Sequence, residues 1–143
     1  MDCKVVIDKE RKEEVVIYAH EKTKLVEQIE SLVLEDPIEL IGYKDREAVK
    51  LELSEVSCFI VEDNKIYAVC DSDKFIVKSR LYKLEEVLTE NFVKINQSCI
   101  ANIKKIKKFD ASFSGSLLVV FQNGYTDYVS RRRLKNIKER FGL

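Results

Sequence analysis

The order of apolar and polar positions along the chain changes near Pro37. Before it, residues 4–8 and 13–20 are rich in β-branched side chains and flank a charged turn, which predicts a small β-hairpin. The segment that follows has helical periodicity, which predicts an amphipathic helix with Thr23 as its N-cap and Asp36–Pro37 as its stop. The apolar face of this helix is formed by Leu25, Ile29, Leu32 and Val33. One hairpin and one helix bury little apolar surface, so we expect them to dock on the rest of the chain or to pair with a second copy.

After Pro37 the pattern changes to short β-branched segments separated by turn residues, which predicts an antiparallel β domain. The first expected strands are residues 38–43, 48–53, 55–62, 65–70 and 74–78. Asp63–Asn64 is the expected turn between the third and the fourth of them. A helix over residues 79–88 interrupts the strands, with Ser79 as its expected cap. Its apolar face is formed by Leu81, Leu84, Val87 and Leu88.

The last third of the chain repeats the strand pattern and ends in a helix. The strands expected here are residues 92–95, 103–111, 117–122 and 125–130. Residues 96–102 are expected to connect the first two, and Asn123–Gly124 is a strong hairpin signal between the last two. The final helix starts at Arg131, and its buried face is formed by Leu134, Ile137 and Phe141.

The composition indicates a folded protein. A chain of 143 residues with 45% hydrophobic and 35% charged residues can form one domain, or one compact domain with a short extra piece. No apolar run approaches the roughly 18–20 residues that a membrane span needs, and the N-terminus lacks the apolar region of a signal peptide. We therefore expect a cytoplasmic protein without a membrane span.

The residues that usually carry chemistry are scattered. With His20 as the single histidine, the four cysteines show no spacing of a zinc or redox motif, so neither a metal nor another cofactor is expected. These cysteines, expected to be reduced thiols, are Cys3, Cys58, Cys70 and Cys99. No phosphate loop, paired carboxylates in an apolar setting or nucleophile–base arrangement can be located, so the protein is not expected to be an enzyme.

The charge is unevenly divided although its formal net value is zero. Residues 91–143 contain eleven Lys or Arg against three Asp or Glu, and residues 1–90 contain the balancing excess of acids. Such a division favours a polyanionic partner for the basic part, because a long-range field attracts counter-ions. Neutralisation of one part by the other within the fold is the structural alternative.

Three places combine cations or amides with the ends of predicted strands: Lys65, the pair Asn96–Gln97, and Arg131–Arg133. Arg and Lys pair with guanine edges, and Asn and Gln with adenine edges. Cations are mildly disfavoured at the start of a helix, so the three arginines indicate an anion from outside. The tract 102–108 adds cations suited to phosphates. Each signal also has a structural reading: a solvated lysine, amides that cap the next turn, or arginines paired with acids of the N-terminal part.

The residues from "FVKINQSCIANIKKIKKF" to "VSRRRLKNIKERFGL" resemble the second half of a LytTR DNA-binding domain. An aromatic–x–basic–x–polar–x–Ser segment leads to an Asn, followed by an Asn-Gly hairpin, Val-Ser-Arg and a terminal helix. The segments "VSCFIVEDNKIYAV" and "FIVKSRLYKLEEVL" fit that family's first strands and its internal helix. The similarity extends over about residues 38–143.

The resemblance implies a mainly β domain within an α+β chain, with one internal and one C-terminal helix, preceded by the hairpin-plus-helix segment. It implies a bacterial transcriptional regulator that binds double-stranded promoter DNA through loops inserted into successive major grooves, bends the duplex, and commonly binds repeated half-sites as a homodimer. By this similarity the DNA-binding residues are Lys65, Lys94, Asn96, Gln97, Arg131, Arg132 and Arg133.

Within that set, Lys65 and Arg131 match the major-groove positions, and Asn96 and Gln97 match the pair that approaches DNA between them. Many family members have His or Arg in place of Asn96, so its contact can be to another base or to phosphate. We expect Arg131 to contact a base and Arg132 or Arg133 to contact phosphate. Ser98 and Asn102 match positions that we assign to holding the loop.

Residues 1–37 are too few for a phosphoacceptor receiver domain, so phosphorylation of a receiver aspartate is not the expected switch. They are interpreted as a dimerisation element, a platform for a regulatory protein partner, or an addition to residues 38–143. Two other functions stay open. The basic part could bind an acidic protein or an anionic membrane face. Alternatively, Phe109, Phe113 and Phe121 could stack on RNA bases, although these aromatics are more typical of a core.

Overall fold

A computed structural model describes residues 1–34, 39–112 and 115–143. The chain divides into two compact units, Met1–Pro37 and Ile38–Leu143. Each unit has its own secondary structure and is best understood separately.

The first unit contains the predicted helix but not the predicted hairpin. Helix α1 spans Lys24–Leu34, and the Thr23 hydroxyl oxygen accepts a hydrogen bond from the Val26 N–H at 3.3 Å, as expected of an N-cap. Residues 4–8 and 13–20 flank a turn, but neither is a strand and no backbone hydrogen bond joins them within the described residues 1–34. The hairpin prediction was therefore wrong, because two short exposed segments without a third strand gain too little from pairing. The stop predicted at Asp36–Pro37 lies outside the described residues.

In the described part of the second unit, ten strands form two antiparallel sheets. The larger sheet contains β1 (Leu40–Lys44), β2 (Glu47–Leu51), β3 (Val56–Glu62), β4 (Lys65–Cys70), β5 (Lys74–Val77), β6 (Phe92–Asn96) and β7 (Cys99–Asn102), in the order β2-β1-β5-β4-β3-β7-β6. The smaller sheet contains β8 (Ile106–Asp110), β9 (Leu118–Phe121) and β10 (Thr126–Tyr128), with β9 in the centre. The helices are α2 (Leu81–Val87) and α3 (Arg131–Phe141). The predicted mainly β fold with one internal and one C-terminal helix is confirmed.

Two apolar cores hold this unit together. One lies between the two sheets and under α3, and its fully buried members include Phe121, Ile95 and Ile137. The other lies on the opposite face of the larger sheet, where Phe59 packs with Leu84 of α2. Strand β3 is buried on both faces because it contributes side chains to both cores. The central strands are thus the most constrained part of the unit.

Two details of the second unit differ from the sequence predictions. Residues 96–102, expected to be a connection, contain strand β7, whose four residues are all buried and therefore show no polar–apolar alternation. Ser79 does not cap α2: Arg80 occupies the N-cap position without a side-chain cap, and the Ser79 hydroxyl donates to the Arg80 carbonyl oxygen at 3.4 Å.

Candidate nucleic-acid interface

Two hairpin turns lie at the same end of the larger sheet. Asp63 and Asn64 both have positive φ, 50° and 59°, which makes the tight reversal that places Lys65 opposite Glu62. The second turn, between β6 and β7, carries Gln97. Strands β3 and β7 are antiparallel neighbours, and the Val61 N–H donates to the carbonyl oxygen of Ser98 at 2.9 Å. Lys65 and Gln97 are therefore presented by adjacent hairpins, and both are exposed.

The corner between β10 and α3 is attached to the same place. The Ser130 N–H donates to the Ile95 carbonyl oxygen at 2.9 Å, and the Asn96 side chain donates to the Tyr128 carbonyl oxygen at 2.8 Å. The first turn of α3 thus starts beside the end of β6. We call this end of the unit the loop end; it consists of residues 63–65, 96–98 and 129–133.

The loop end brings together the residues that the sequence singled out. Lys65, Gln97 and Arg131 are exposed there. A cleft of about 530 Å³ opens beside them, lined by Lys94, Gln97, Ser130, Arg132 and Arg133. All seven predicted DNA-binding residues thus lie at or beside one end of the fold.

The three arginines carry charge that the second unit does not neutralise. Within residues 39–112 and 115–143, none of Arg131–Arg133 has a carboxylate oxygen within 4 Å. They occupy the first turn of α3, where the Ser130 side chain makes no capping hydrogen bond and the Arg133 N–H donates to the Ser130 carbonyl oxygen at 3.0 Å. Cations at the start of a helix add to the positive end of the helix dipole, and the resulting local field favours an anion.

Lys94 and Asn96 differ from the arginines because their side chains already interact with other groups of the protein. The Lys94 ammonium lies 3.6 Å from the Glu85 carboxylate, and 21% of its side chain is exposed. The Asn96 amide donates to Asp127 Oδ1 at 3.1 Å and to the Tyr128 carbonyl oxygen, and its Oδ1 accepts from the Ser98 N–H at 2.8 Å. The sequence reasoning missed Asp127 because no short-range spacing links it to Asn96.

Part of the basic tract 102–108 lies away from the loop end. Strand β7 runs away from that end, so Lys104 and Lys105 lie at the other end of the sheet. There Lys105 is 3.8 Å from the Asp71 carboxylate, and its carbonyl oxygen accepts from the Gln122 N–H. Strand β7 separates these two lysines from the turn that carries Gln97, and the expectation that the tract supplies cations for phosphates stays a prediction.

Two of the aromatics considered for RNA stacking, Phe109 and Phe121, pack in the core. Phe121 is fully buried between the sheets, and the Phe109 ring packs against Phe141 with their centroids 4.8 Å apart. Phe113 lies outside the described residues. Phe121 therefore offers no open ring face for base stacking, and the partly buried Phe109 ring is covered in part by Phe141.

In the core, two groups have perturbed acidity that bears on possible chemistry, Cys99 and Tyr125. A hydrogen bond with Cys58 and burial raise the pKa of the Cys99 thiol well above its usual value, and burial raises the pKa of Tyr125. Cys99 therefore stays protonated at neutral pH, which is unlike a nucleophilic thiolate. Residues 1–34, 39–112 and 115–143 contain no cluster of three or more His, Cys, Asp or Glu suited to a metal ion. None of the helices in these ranges is long and apolar enough to cross a membrane.

Comparison with known proteins identifies the family to which most of the chain is similar. Residues 46–142 match the family described as the LytTr DNA-binding domain. Proteins named HTH-type transcriptional regulators in Staphylococcus aureus strains NCTC 8325 and COL are each 36% identical over 104 residues, which is 73% of this chain and 71% of each relative. The solved LytTr DNA-binding domain of a Bacillus cereus protein has a TM-score of 0.69 at 20% identity, over 73% of this chain and 98% of that domain.

Proposed function

Because this chain belongs to the LytTR DNA-binding domain family, we propose that it binds double-stranded promoter DNA sequence-specifically through the loop end and thereby regulates transcription. The observation that carries this proposal is the presentation of Lys65, Gln97 and Arg131 by three adjacent turns. Turns on a rigid β scaffold can enter grooves without a recognition helix. Such a regulator acts on the chromosome, which places it in the cytoplasm.

The proposed contacts follow from the chemistry at each turn. Lys65 and Arg131 enter successive major grooves, where a cation pairs with the O6 and N7 atoms of guanine. Gln97 approaches the duplex between them. Three tips that touch one face of a duplex favour a bend towards the protein, because bending shortens the path between the two grooves.

The cleft beside Gln97 suits the phosphate backbone. Arg132 and Arg133 have no carboxylate partner within the described part of the second unit, so a phosphate would replace only water around them. Lys94 already pairs with Glu85, so its contribution to the positive field is partly neutralised. We therefore assign Arg132 and Arg133 the main phosphate contacts and Lys94 a lesser one.

Selection of bound duplexes from a random pool at about 0.15 M salt tests this function, because salt screening suppresses binding by charge alone. We expect a recurring sequence to be enriched, with a repeat if two copies bind together. Recovery of duplexes without any common sequence would contradict the proposal. It would favour the alternative in which the basic part binds an acidic protein, with exposed cations such as Lys107 and Lys108 on β8 as contacts.

We also propose that the first unit pairs two copies of the chain. Its large apolar residues are mostly exposed: Leu32 is 78% exposed, and Leu25 and Val33 of the same helix are about half exposed. Val15 and Ile17 line a cavity of about 410 Å³ beside α1. A second copy would cover such a surface, and pairing would raise the affinity for repeated half-sites.

Replacing Leu32 with glutamate is expected to shift the full chain from dimer to monomer in sedimentation velocity, because a buried unpaired carboxylate would oppose pairing. Lys24→Gln changes the charge by the same amount at an exposed position of α1 and should leave the distribution unchanged. A wild-type chain that sediments as a monomer throughout the micromolar range would rule out the homodimer and leave a regulatory partner protein as the occupant of this face.

A further inference from the structure

Asn96 stands out at the loop end because both polar atoms of its side-chain amide have hydrogen-bond partners within the protein. Ser98 N–H can only donate, so it fixes the position of Oδ1, whereas the Asp127 carboxylate and the Tyr128 carbonyl oxygen can only accept, so they fix the position of Nδ2. These three partners define the orientation of the amide without ambiguity. No donor remains for a nucleotide unless one of these hydrogen bonds breaks.

The partners of Asn96 belong to different parts of the fold. Ser98 lies in the β6–β7 turn that carries Gln97, and Asp127 and Tyr128 lie on β10, immediately before the corner that carries Arg131. Strand β6 belongs to the larger sheet and β10 to the smaller one. The Asn96 side chain is thus a bridge between two sheets at the point where each presents a DNA-contacting tip.

A parallel backbone contact supports the same bridge. The Ser130 N–H donates to the carbonyl oxygen of Ile95, the residue before Asn96. The Asp127 carboxylate also accepts from the Tyr128 N–H at 2.8 Å, which orients its Oδ1 towards Asn96. The Asn96 amide therefore adds two side-chain hydrogen bonds to the backbone contact that joins the two sheets here.

From these contacts we propose that Asn96 is a positioning residue: it sets the distance and orientation between the Gln97 turn and the Arg131 corner and does not itself contact a base. This role rests on the proposed function, because the two tips matter only if both touch DNA. It also departs from the sequence-based expectation that placed Asn96 among the DNA-contacting residues. Arg131 in a major groove and Gln97 beside that groove must reach the same duplex together, and a side-chain bridge fixes their spacing.

Hydrogen exchange of the free full-length protein tests the bridge without DNA. In Asn96→Ala, the Ser98 and Ser130 amides should exchange about tenfold faster, because one loses its acceptor and the other loses the neighbouring bridge. The Ala68 amide in the central strand β4 should be unchanged. Unchanged exchange at both Ser98 and Ser130 would overturn the proposal.

DNA binding then separates positioning from contact. Gln97→Ala is the matched control, because Gln97 is exposed and adjacent to Asn96. We expect both variants to bind the selected duplex about tenfold more weakly, but only Asn96→Ala to change the exchange of the free protein. In the double variant with Arg131→Ala, the effect of Asn96→Ala should shrink, because a corner without its arginine gains little from correct placement. If the affinity losses of the two single variants simply add in the double variant, and the hydrogen exchange of Asn96→Ala is normal, Asn96 is identified as a base contact.

Asp127 offers an independent pair of variants should Asn96→Ala fail to fold. Asp127→Asn keeps an oxygen that can accept from Asn96, whereas Asp127→Ala removes it. We expect faster Ser130 exchange and weaker DNA binding in Asp127→Ala and near-normal values in Asp127→Asn; equal behaviour of the two would contradict the bridge. If the wild type shows no sequence preference while the exchange results hold, the proposed function fails but the bridge stands.

Discussion

Arg131→Ala should weaken binding to the selected duplex by about 1–3 kcal/mol and relax its sequence preference at one position, because a base contact would be lost. The same change should hardly affect binding to random DNA. Fluorescence anisotropy with the selected and a scrambled duplex, at about 0.15 M salt, measures both effects. Equal losses on the two duplexes would show that Arg131 binds phosphate and does not contact a base.

Two companion variants make this result specific. Arg133→Ala should weaken the selected and scrambled duplexes alike and reduce the slope of log affinity against log salt by about one, as expected for one lost phosphate contact. Lys138→Ala removes the same charge from the later part of α3, away from the loop end. It should leave both affinities nearly unchanged. A loss for Lys138→Ala as large as that for Arg131→Ala would indicate that net charge alone determines binding.

Ile137→Ala should lower the free energy of unfolding by about 2–5 kcal/mol, which is the typical cost of removing a fully buried aliphatic side chain. Ile137 is 1% exposed and packs in the core between the sheets, where Ile95 and Val129 also lie. Ile95 directly precedes a loop-end segment, and Val129 belongs to one. Loss of the α3 anchor should therefore destabilise the fold and also weaken DNA binding.

Urea unfolding followed by circular dichroism measures the stability effect. Ile137→Val removes one methylene group and should cost only about 0.5–1.5 kcal/mol. Asn136→Ala changes an exposed neighbour on the same helix and should stay within about 0.5 kcal/mol of the wild type. A cost below about 1 kcal/mol for Ile137→Ala would mean that α3 is not anchored through this residue.

The periodic parts of the fold could be predicted because their signals are local. Asp63–Asn64 and Asn123–Gly124 mark tight turns by residue type alone, and the structure has positive φ at Asp63, Asn64 and Gly124. The apolar face of α3 follows from helical spacing, and Ile137 is buried as expected. The resemblance to the LytTR family is confirmed by the matching family and by the similar solved domain.

The remaining features depend on contacts that no local pattern records. Strand β7 contributes Cys99 and Ala101 to one core and Ile100 to the other, so both of its faces are buried and its residues lack the alternation that marks a strand. Residues 4–8 and 13–20 are rich in β-branched residues but have no third strand to pair with. Strand propensity alone therefore predicts a hairpin that does not form.

The candidate site shows the same limit. The three tips were identified from their residue types and their positions at strand ends. The separation of Lys104 and Lys105 from the loop end, and the bridge from Asn96 to Asp127, depend on the packing of distant segments. The sequence therefore indicated which cations and amides are present, whereas the tertiary contacts determine which of them are free to bind DNA.

Amide NMR of the full chain during titration with the selected duplex shows most directly whether the three turns contact one duplex at the same time. We expect the largest shift changes, at about 0.15 M salt, to occur together in residues 63–65, 96–98 and 129–133. Changes concentrated at Lys104–Lys108, with residues 63–65 or 129–133 unaffected, would contradict it.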